Sequence, residues 1–258
     1  MVAASLAGLA AAPVRADETA PAPACLAADG PSAALTGHDG YASLTLEDGR
    51  EVRLADIVPA AALARSAAEG DPFAGLLGRE ATVMRAAETA GTAGDRYGRT
   101  VGDIVLKDTG ASLLGRFIRE GLALVDPAVM SDRCLDELFV AERQAEAARR
   151  GLWADGGPEL ASDAPDLLAA VGRYVLVEGR VESVGETRRT IYLNFGKEYR
   201  TDFTALVRRR DAATWADSLK ALEGRTVRLR GVLEAWNGGL IRLEHRRQVE
   251  LPQREPPG

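Results

Sequence analysis

The strongest constraint on this chain is a rhythm of short runs in which apolar and polar residues alternate, broken by glycine-containing turns. Leu44 and Leu46 alternate with polar neighbours, as do Val52 and Leu54, and Glu47-Asp48-Gly49-Arg50 supplies a hairpin turn between them. Extended runs follow at 80–87 and, after a turn at Gly98, at 101–106. A polar stretch containing Pro and Gly, Gly156 to Pro165, interrupts the pattern, which then resumes at 174–184, 190–193, 203–207, 226–234 and 240–243. Runs of period two place one face of a strand in a core and leave the other wet.

Helical segments punctuate the strands. Residues 60–68 are rich in Ala, and Ser112 to Gly121 reads as a helix stopped by Gly. In Ser131 to Arg150, Leu135, Leu138, Phe139, Glu142 and Ala145 recur at helical spacing, with Ser131 or Asp132 as cap and Gly151 as the stop. One more helix is expected near 211–222. The fold class expected is mainly β with α (α+β), with a first domain at 35–154, a linker at 155–170, a second at 171–251 and a tail at 252–258. Five strands and one helix in the second domain suit a small barrel of OB type. The charge supports the division: residues 1–170 carry a net −11 and residues 171–258 a net +5. No internal repeat is visible in residue identity, and no apolar run approaches the ~20 residues of a membrane-spanning helix.

The N-terminal stretch Met1 to Ala16 is apolar and ends in Val14-Arg15-Ala16, a spacing of small residues that a signal peptidase reads. Residues 1–16 therefore read as a signal peptide and 17–34 as a flexible N-terminal segment, which places the protein in the periplasm or outside the cell. No positive charge precedes the apolar stretch, so either the start lies upstream or the signal is degenerate. A buried N-terminal helix is the alternative, opposed by Pro13 and the Ala/Pro run at 19–24. The two cysteines, Cys25 and Cys134, are most simply one disulfide in an exported protein, the other reading being two separate thiols. A two-cysteine metal site lacks histidines to support it, and His38 and His245 read as isolated surface or loop residues.

Three segments carry a resemblance. They are the hairpin ending Val52-Arg53-Leu54-Ala55, the segment Asp95-Arg96-Tyr97-Gly98-Arg99, and the run from Cys134 through Glu142 to Gly151-Leu152-Trp153, with Phe117-Ile118-Arg119-Glu120-Gly121-Leu122-Ala123 between the last two. Together, over about 35–154, they resemble the staphylococcal-nuclease-like (thermonuclease) family. That resemblance implies an OB barrel with added helices and a Ca²⁺-dependent phosphodiesterase. Two aspartates would hold the ion, a glutamate would assist the attacking water and two arginines would neutralise the phosphate. An anionic diester resists hydroxide, so cationic groups must offset charge in the transition state.

Carried over residue by residue, the resemblance is incomplete. The first metal aspartate falls on Ala42, the second on Val58 and the glutamate on Ala61, while the arginines persist as Arg53 and Arg99 and the tyrosine beside the nucleotide as Tyr97. Ca²⁺ needs several hard oxygen ligands, so catalysis is expected to be impaired. A displaced Ca²⁺ site built from Asp39, Asp56 or Asp95 is the rescue, with Asp56 expected on the strand face of Val58. Arg53 and Arg99 are also readable as structural, Arg53 pairing with Asp56 or Asp95. Glu142 and Trp153 read as scaffold.

In the second domain, Arg188, Arg189, Tyr192, Lys197, Tyr199 and Arg200 interleave cations with aromatics, as a platform for single-stranded nucleic acid does. The stretch also resembles a C-terminal module attached to some bacterial thermonuclease-like proteins. The bland reading places Ile191, Leu193 and Phe203 inward, Tyr192 and Tyr199 on a rim, and Arg208-Arg209-Arg210 on a solvated face. Three functions follow as expectations: a module that binds nucleic acid or protein without cleaving, a metal-dependent phosphodiesterase with a displaced site, or a structural protein of the cell envelope with an envelope partner.

Overall fold

The computed structural model describes residues 23–63, 71–86, 94–154, 156–198, 200–213 and 215–252. The strands of the first half are β1 (Leu26–Ala28), β2 (Ala33–His38), β3 (Ser43–Leu46), β4 (Glu51–Leu54), β5 (Ile57–Pro59), β6 (Glu80–Ala86) and β7 (Thr100–Leu106). They are followed by α1 (Leu113–Arg119), β8 (Ala123–Val125) and α2 (Asp132–Ala147). In chain order, β2, β3 and β4 form an antiparallel meander, and β6 and β7 an antiparallel pair. β2 pairs with β6, while β4 runs parallel to β7, so the five strands close into a ring. Leu44, Leu46, Val52, Leu54, Val83, Ile104 and Leu106 point into it, as the alternation requires.

The second half repeats that path. β9 (Glu159–Ala161), β10 (Tyr174–Arg180), β11 (Ser183–Glu186), β12 (Thr190–Asn194) and β13 (Thr204–Arg208) are followed by α3 (Ala216–Lys220), β14 (Thr226–Glu234), β15 (Leu240–Leu243) and β16 (Val249–Glu250). The run 174–184, expected as one strand, bends after Arg180. β10 pairs with β14, and β11 with β12, so this one bent segment closes the barrel at both ends. Here α3 separates the meander from the final two strands, where the first barrel has β5 and the 3₁₀ turn Ala60–Leu63, and β13 runs parallel to β15 as β4 does to β7. The two barrels share a topology although their residues show no repeat.

Several boundaries differ from expectation. The 17–34 segment is built into the fold where it is described: β1 pairs antiparallel with β6, and Cys25 is bonded to Cys134. The 155–170 linker contributes β9, parallel to β10, and buries Leu167 and Ala170 in the second core. Only Ala60–Leu63 of the 60–68 helix is described, as a single 3₁₀ turn, and the helix expected at 211–222 is regular only over Ala216–Lys220. Residues 1–16, read from the sequence as a signal peptide, and the tail beyond Pro252 lie outside the described residues. Among those described, no helix is long and apolar enough to cross a membrane.

Within the first barrel, Asp103 is fully buried and holds the start of α1. Its Oδ1 accepts the N–H groups of Ile104 and Leu114, and its Oδ2 accepts the hydroxyl of Ser112, which in turn caps α1 by accepting the N–H of Gly115. Burial outweighs these donors and pushes the carboxyl up to about 6, against an ordinary 3.8. The folded state thus holds this proton more tightly than the unfolded chain. Its contribution to stability is complete below about pH 4 and falls by about 3 kcal/mol as the pH rises through 6. Asp103→Asn should flatten that part of the profile of urea midpoints against pH. An unchanged slope in the variant would assign it to another group.

The halves meet where the outer face of β10 and β14 packs on α2 and β8. Leu124, Ala145, Leu152, Trp153, Tyr174 and Leu176 form one apolar cluster across the junction. At its edge Arg230 of β14 is fully buried over the ring of Phe139, 4.5 Å from the centroid. Its guanidinium donates to Glu142 at 2.7 and 3.2 Å, to the Val125 carbonyl at 2.7 Å and to Glu250. Around it Arg228 pairs with Glu146 and Glu159, Arg246 with Asp132, and Arg247 with Asp136. Acidic α2 therefore faces basic β14 and the 246–247 turn, the charge division seen in the sequence.

Candidate functional site

Strand pairing brings the surviving cations of the first barrel together. Ser43 lies opposite Arg53 across β3 and β4, and Arg53 lies beside Val101 of β7. The turn Asp95–Gly98 delivers Arg99 to the start of that strand: the Gly98 N–H donates to the Asp95 carbonyl at 2.8 Å, with Gly98 at φ 81°, a conformation glycine reaches without a Cβ clash. Arg99 then reaches back, donating from Nε (2.9 Å) and Nη2 (2.7 Å) to one oxygen of Asp95 and from Nη1 (2.8 Å) to the Ser43 hydroxyl. Arg53 Nε approaches the same Asp95 oxygen at 3.8 Å. Of the two carboxylates open to Arg53 in the sequence, Asp95 is its partner.

Tyr97 stands at the tip of this turn, 67% exposed, with the guanidinium carbons of Arg96 and Arg99 at 4.9 and 5.1 Å from its ring centroid. Two guanidiniums, a hydroxyl and an open ring converge on one surface spot. Such a constellation attracts a phosphate, which here would compete with the Asp95 carboxylate for both arginines.

The metal machinery does not fit in the same way. Ala42 is buried in the barrel core, Val58 pairs with Leu124 in the short β5–β8 ladder, and Ala61 lies in the 3₁₀ turn; none offers an oxygen from its side chain. The nearby aspartates are engaged elsewhere. Asp39 Oδ1 accepts the N–H groups of Tyr41, Ala42 and Ser43 at 2.8, 3.0 and 2.9 Å. Burial opposes its charge, but these bonds prevail and hold the carboxyl below its ordinary range. The Arg99 hydrogen bonds lower the Asp95 carboxyl likewise.

Asp56 is not on the strand face of Val58. It occupies the turn between β4 and β5 at φ 51°, buried, and its carboxylate turns away to accept the N–H groups of Ala128, Val129 and Met130 at 3.1, 2.8 and 2.7 Å. Asp tolerates the left-handed region because its short side chain bonds locally or to a loop. Burial raises its carboxyl, against those three donors. Asp56 thus fixes the loop that leads into α2. Among the described residues no three His, Cys, Asp or Glu side chains are grouped to hold a metal. The donor set does not suit Ca²⁺, which needs several hard oxygen ligands.

On the second barrel, Tyr192 stands on the outer face of β12, between Gly185 of β11 and Leu206 of β13. Ile191, Leu193 and Phe203 point inward, as the alternation requires. Arg188, Arg189, Lys197 and Arg200 are exposed, and Tyr199 lies outside the described residues. Arg208, Arg209 and Arg210 are tied to Asp211 and Glu244, to Glu186, and to Asp211 respectively. The residues that sequence reasoning missed are Trp236 and Arg230. Trp236 is 43% exposed in the turn between β14 and β15, its ring 6.4 Å from that of Tyr192. An indole directly before Asn237-Gly238-Gly239 was the available signal, since a turn seldom buries its side chains.

Neither histidine is an isolated surface group. His38 stacks on Phe73 with centroids 4.5 Å apart, and His245 caps the 3₁₀ turn Arg246–Gln248 by accepting the Arg247 N–H. Glu142 and Trp153 lie in the junction between the halves, as scaffold.

Residues 74–155 match the family model described as staphylococcal nuclease homologue. The matched stretch runs from just before β6 to the end of the 3₁₀ turn after α2, and so takes in Asp95, Arg99, Asp103, Cys134 and Glu142. No curated protein matches the chain.

Proposed function

We propose, from the premise that this chain carries a divergent staphylococcal-nuclease-like domain, that the protein binds nucleic acid through a nuclease-type barrel that does not cleave. One observation carries the reading. The three positions that would supply carboxylates are Ala42, Val58 and Ala61, while Asp39, Asp56 and Asp95 each have a structural partner set of their own. What persists at the site is the part that recognises a phosphate: Arg53, Arg99 and Ser43, with Tyr97 beside them. Cations and a stacking ring suffice to hold a strand, whereas hydrolysis also needs a metal and a base. We place the protein in an oxidising compartment outside the cytoplasm, a reading that the Cys25–Cys134 bond supports.

The test is an assay of the full chain on labelled single- and double-stranded DNA and RNA, with Ca²⁺, Mg²⁺, Mn²⁺ or a chelator. The expected outcome is intact probe in every lane and retardation at low salt that weakens as salt rises. Metal-dependent cleavage that disappears in Asp39→Ala, Asp56→Ala or Asp95→Ala would replace this reading with a displaced metal site. Neither cleavage nor retardation would leave a structural protein with an envelope partner.

A further inference from the structure

The outer face of the second barrel carries a site that the nuclease-type barrel does not explain. Its centre is the pair Tyr192 and Trp236, with ring centroids 6.4 Å apart and planes inclined by 32°. Tyr192 faces Gly185 across the β11–β12 ladder. A Cβ built at Gly185 would meet only Asn194 Nδ2 at 3.6 Å and Tyr192 Cβ at 3.9 Å, ordinary contacts, so the backbone does not need glycine here. What glycine provides is the flank of the tyrosine ring left uncovered. The neighbours on this face of β11 and β12 are neutral: Ser183 and Asn194, hydrogen bonded to each other, and Gly185.

Unpaired cations bracket this strip. Arg188 and Arg189 lie in the turn that enters β12, and Lys197 in the loop that leaves it. All three are exposed and form no ion pair among the described residues, whereas Arg208, Arg209, Arg210 and Arg242 on the same barrel are each held by a carboxylate. The loop after β12 also packs against the Trp236 turn, for Gly238 lies so close to the Thr201 carbonyl that a Cβ built there would overlap it. Free positive charge at both ends of an uncharged aromatic strip matches a polymer with phosphates along its length and flat, unstacked bases. A duplex conceals those base faces.

We propose that Tyr192 and Trp236 form a stacking platform for single-stranded nucleic acid, with Arg188, Arg189 and Lys197 holding the phosphates. This rests on the nucleic-acid reading above but assigns the contact to the second barrel. Trp236 supplies its own probe: of the three tryptophans, Trp153 and Trp215 are buried and Trp236 is exposed. Titration of the full chain with oligothymidylate, and with its RNA counterpart, at low salt should quench tryptophan fluorescence. Trp236→Phe should lose the quench and keep most of the affinity by gel retardation, because Phe still stacks. Tyr192→Ala and Trp236→Ala should each weaken binding about tenfold. Gly185→Leu should do the same with both rings present, by covering the platform.

Arg53→Ala and Arg99→Ala separate this proposal from the broader one. If they abolish retardation while the Tyr192, Trp236 and Gly185 variants bind like the parent, the strand lies on the first barrel and the platform is refuted. If the unaltered protein retards no probe, both readings fall, and the aromatic pair becomes a surface for a protein partner.

Discussion

Glu142→Ala should lower the free energy of unfolding by about 3–5 kcal/mol, the usual result of removing one partner from a buried ion pair. The geometry explains the size. Arg230 has no exposed surface, and without Glu142 its guanidinium keeps only Glu250 and the Val125 carbonyl as hydrogen-bond acceptors. The same change strips the Val125 N–H of its acceptor, Glu142 Oε1 at 2.7 Å, so a buried donor is orphaned as well. Arg230→Met with Glu142→Leu should recover much of the loss, since the pair is then absent rather than broken and methionine can lie on Phe139 as the guanidinium does. Urea unfolding of Glu142→Leu, of Arg230→Met and of the double variant completes the cycle. Because the cluster joins the two barrels, Glu142→Ala should also split the transition into two phases. A cost below about 1 kcal/mol would mean that water reaches Arg230.

The second large effect concerns the bond between Cys25 and Cys134, whose Cα atoms lie 5.6 Å apart and 109 residues apart in sequence. Closing a loop of that size removes enough freedom from the unfolded chain to contribute about 4–5 kcal/mol in the chain-entropy account. Cys25→Ser, measured against the oxidised parent, should shift the urea midpoint accordingly. Reductant should move the parent to the same place and leave the variant unmoved. Equal midpoints for variant and oxidised parent would show that the reduced chain already keeps this segment against α2.

Much of this fold was legible in the sequence because local pattern and global packing agree. The strands at β3, β4, β7 and β12 through β15 fall where period-two alternation puts them, since one face of each looks into a barrel. The cap at Ser112 is set by short-range hydrogen bonding, which a local reading can find, and Ser131 takes the N-cap position of α2 by its extended backbone, without a side-chain bond to the helix. What escaped depends on partners far away in the chain. In Thr226–Glu234, Arg228 and Arg230 occupy the outward register that an ordinary wet strand gives to arginine, and only the docking of α2 makes Arg230 an interior residue. The bend that splits β10 from β11 is a requirement of barrel closure, not a local turn signal. At the candidate site, the residue types were readable but their engagements were not. Asp56 sits two positions from Val58, yet its left-handed backbone sends the carboxylate to a loop more than 70 residues later in the chain.

Helix α2 meets three constraints along its length. The disulfide fastens its first turn at Cys134, Asp132 and Asp136 engage the 246–247 turn, and Glu142 and Glu146 engage β14. During synthesis these arrive in sequence, because the cysteine partner precedes the helix and both arginine pairs, on β14 and in the 246–247 turn, follow it. The covalent link needs only the chain up to Cys134 and an oxidising compartment, so it can close with the acidic face of α2 still wet. The later barrel then meets a helix already held in place, whose row of carboxylates favours the approach of one basic strand face over any other. Assembly of the two halves is in this sense templated: the second barrel is positioned by charges laid down before it existed.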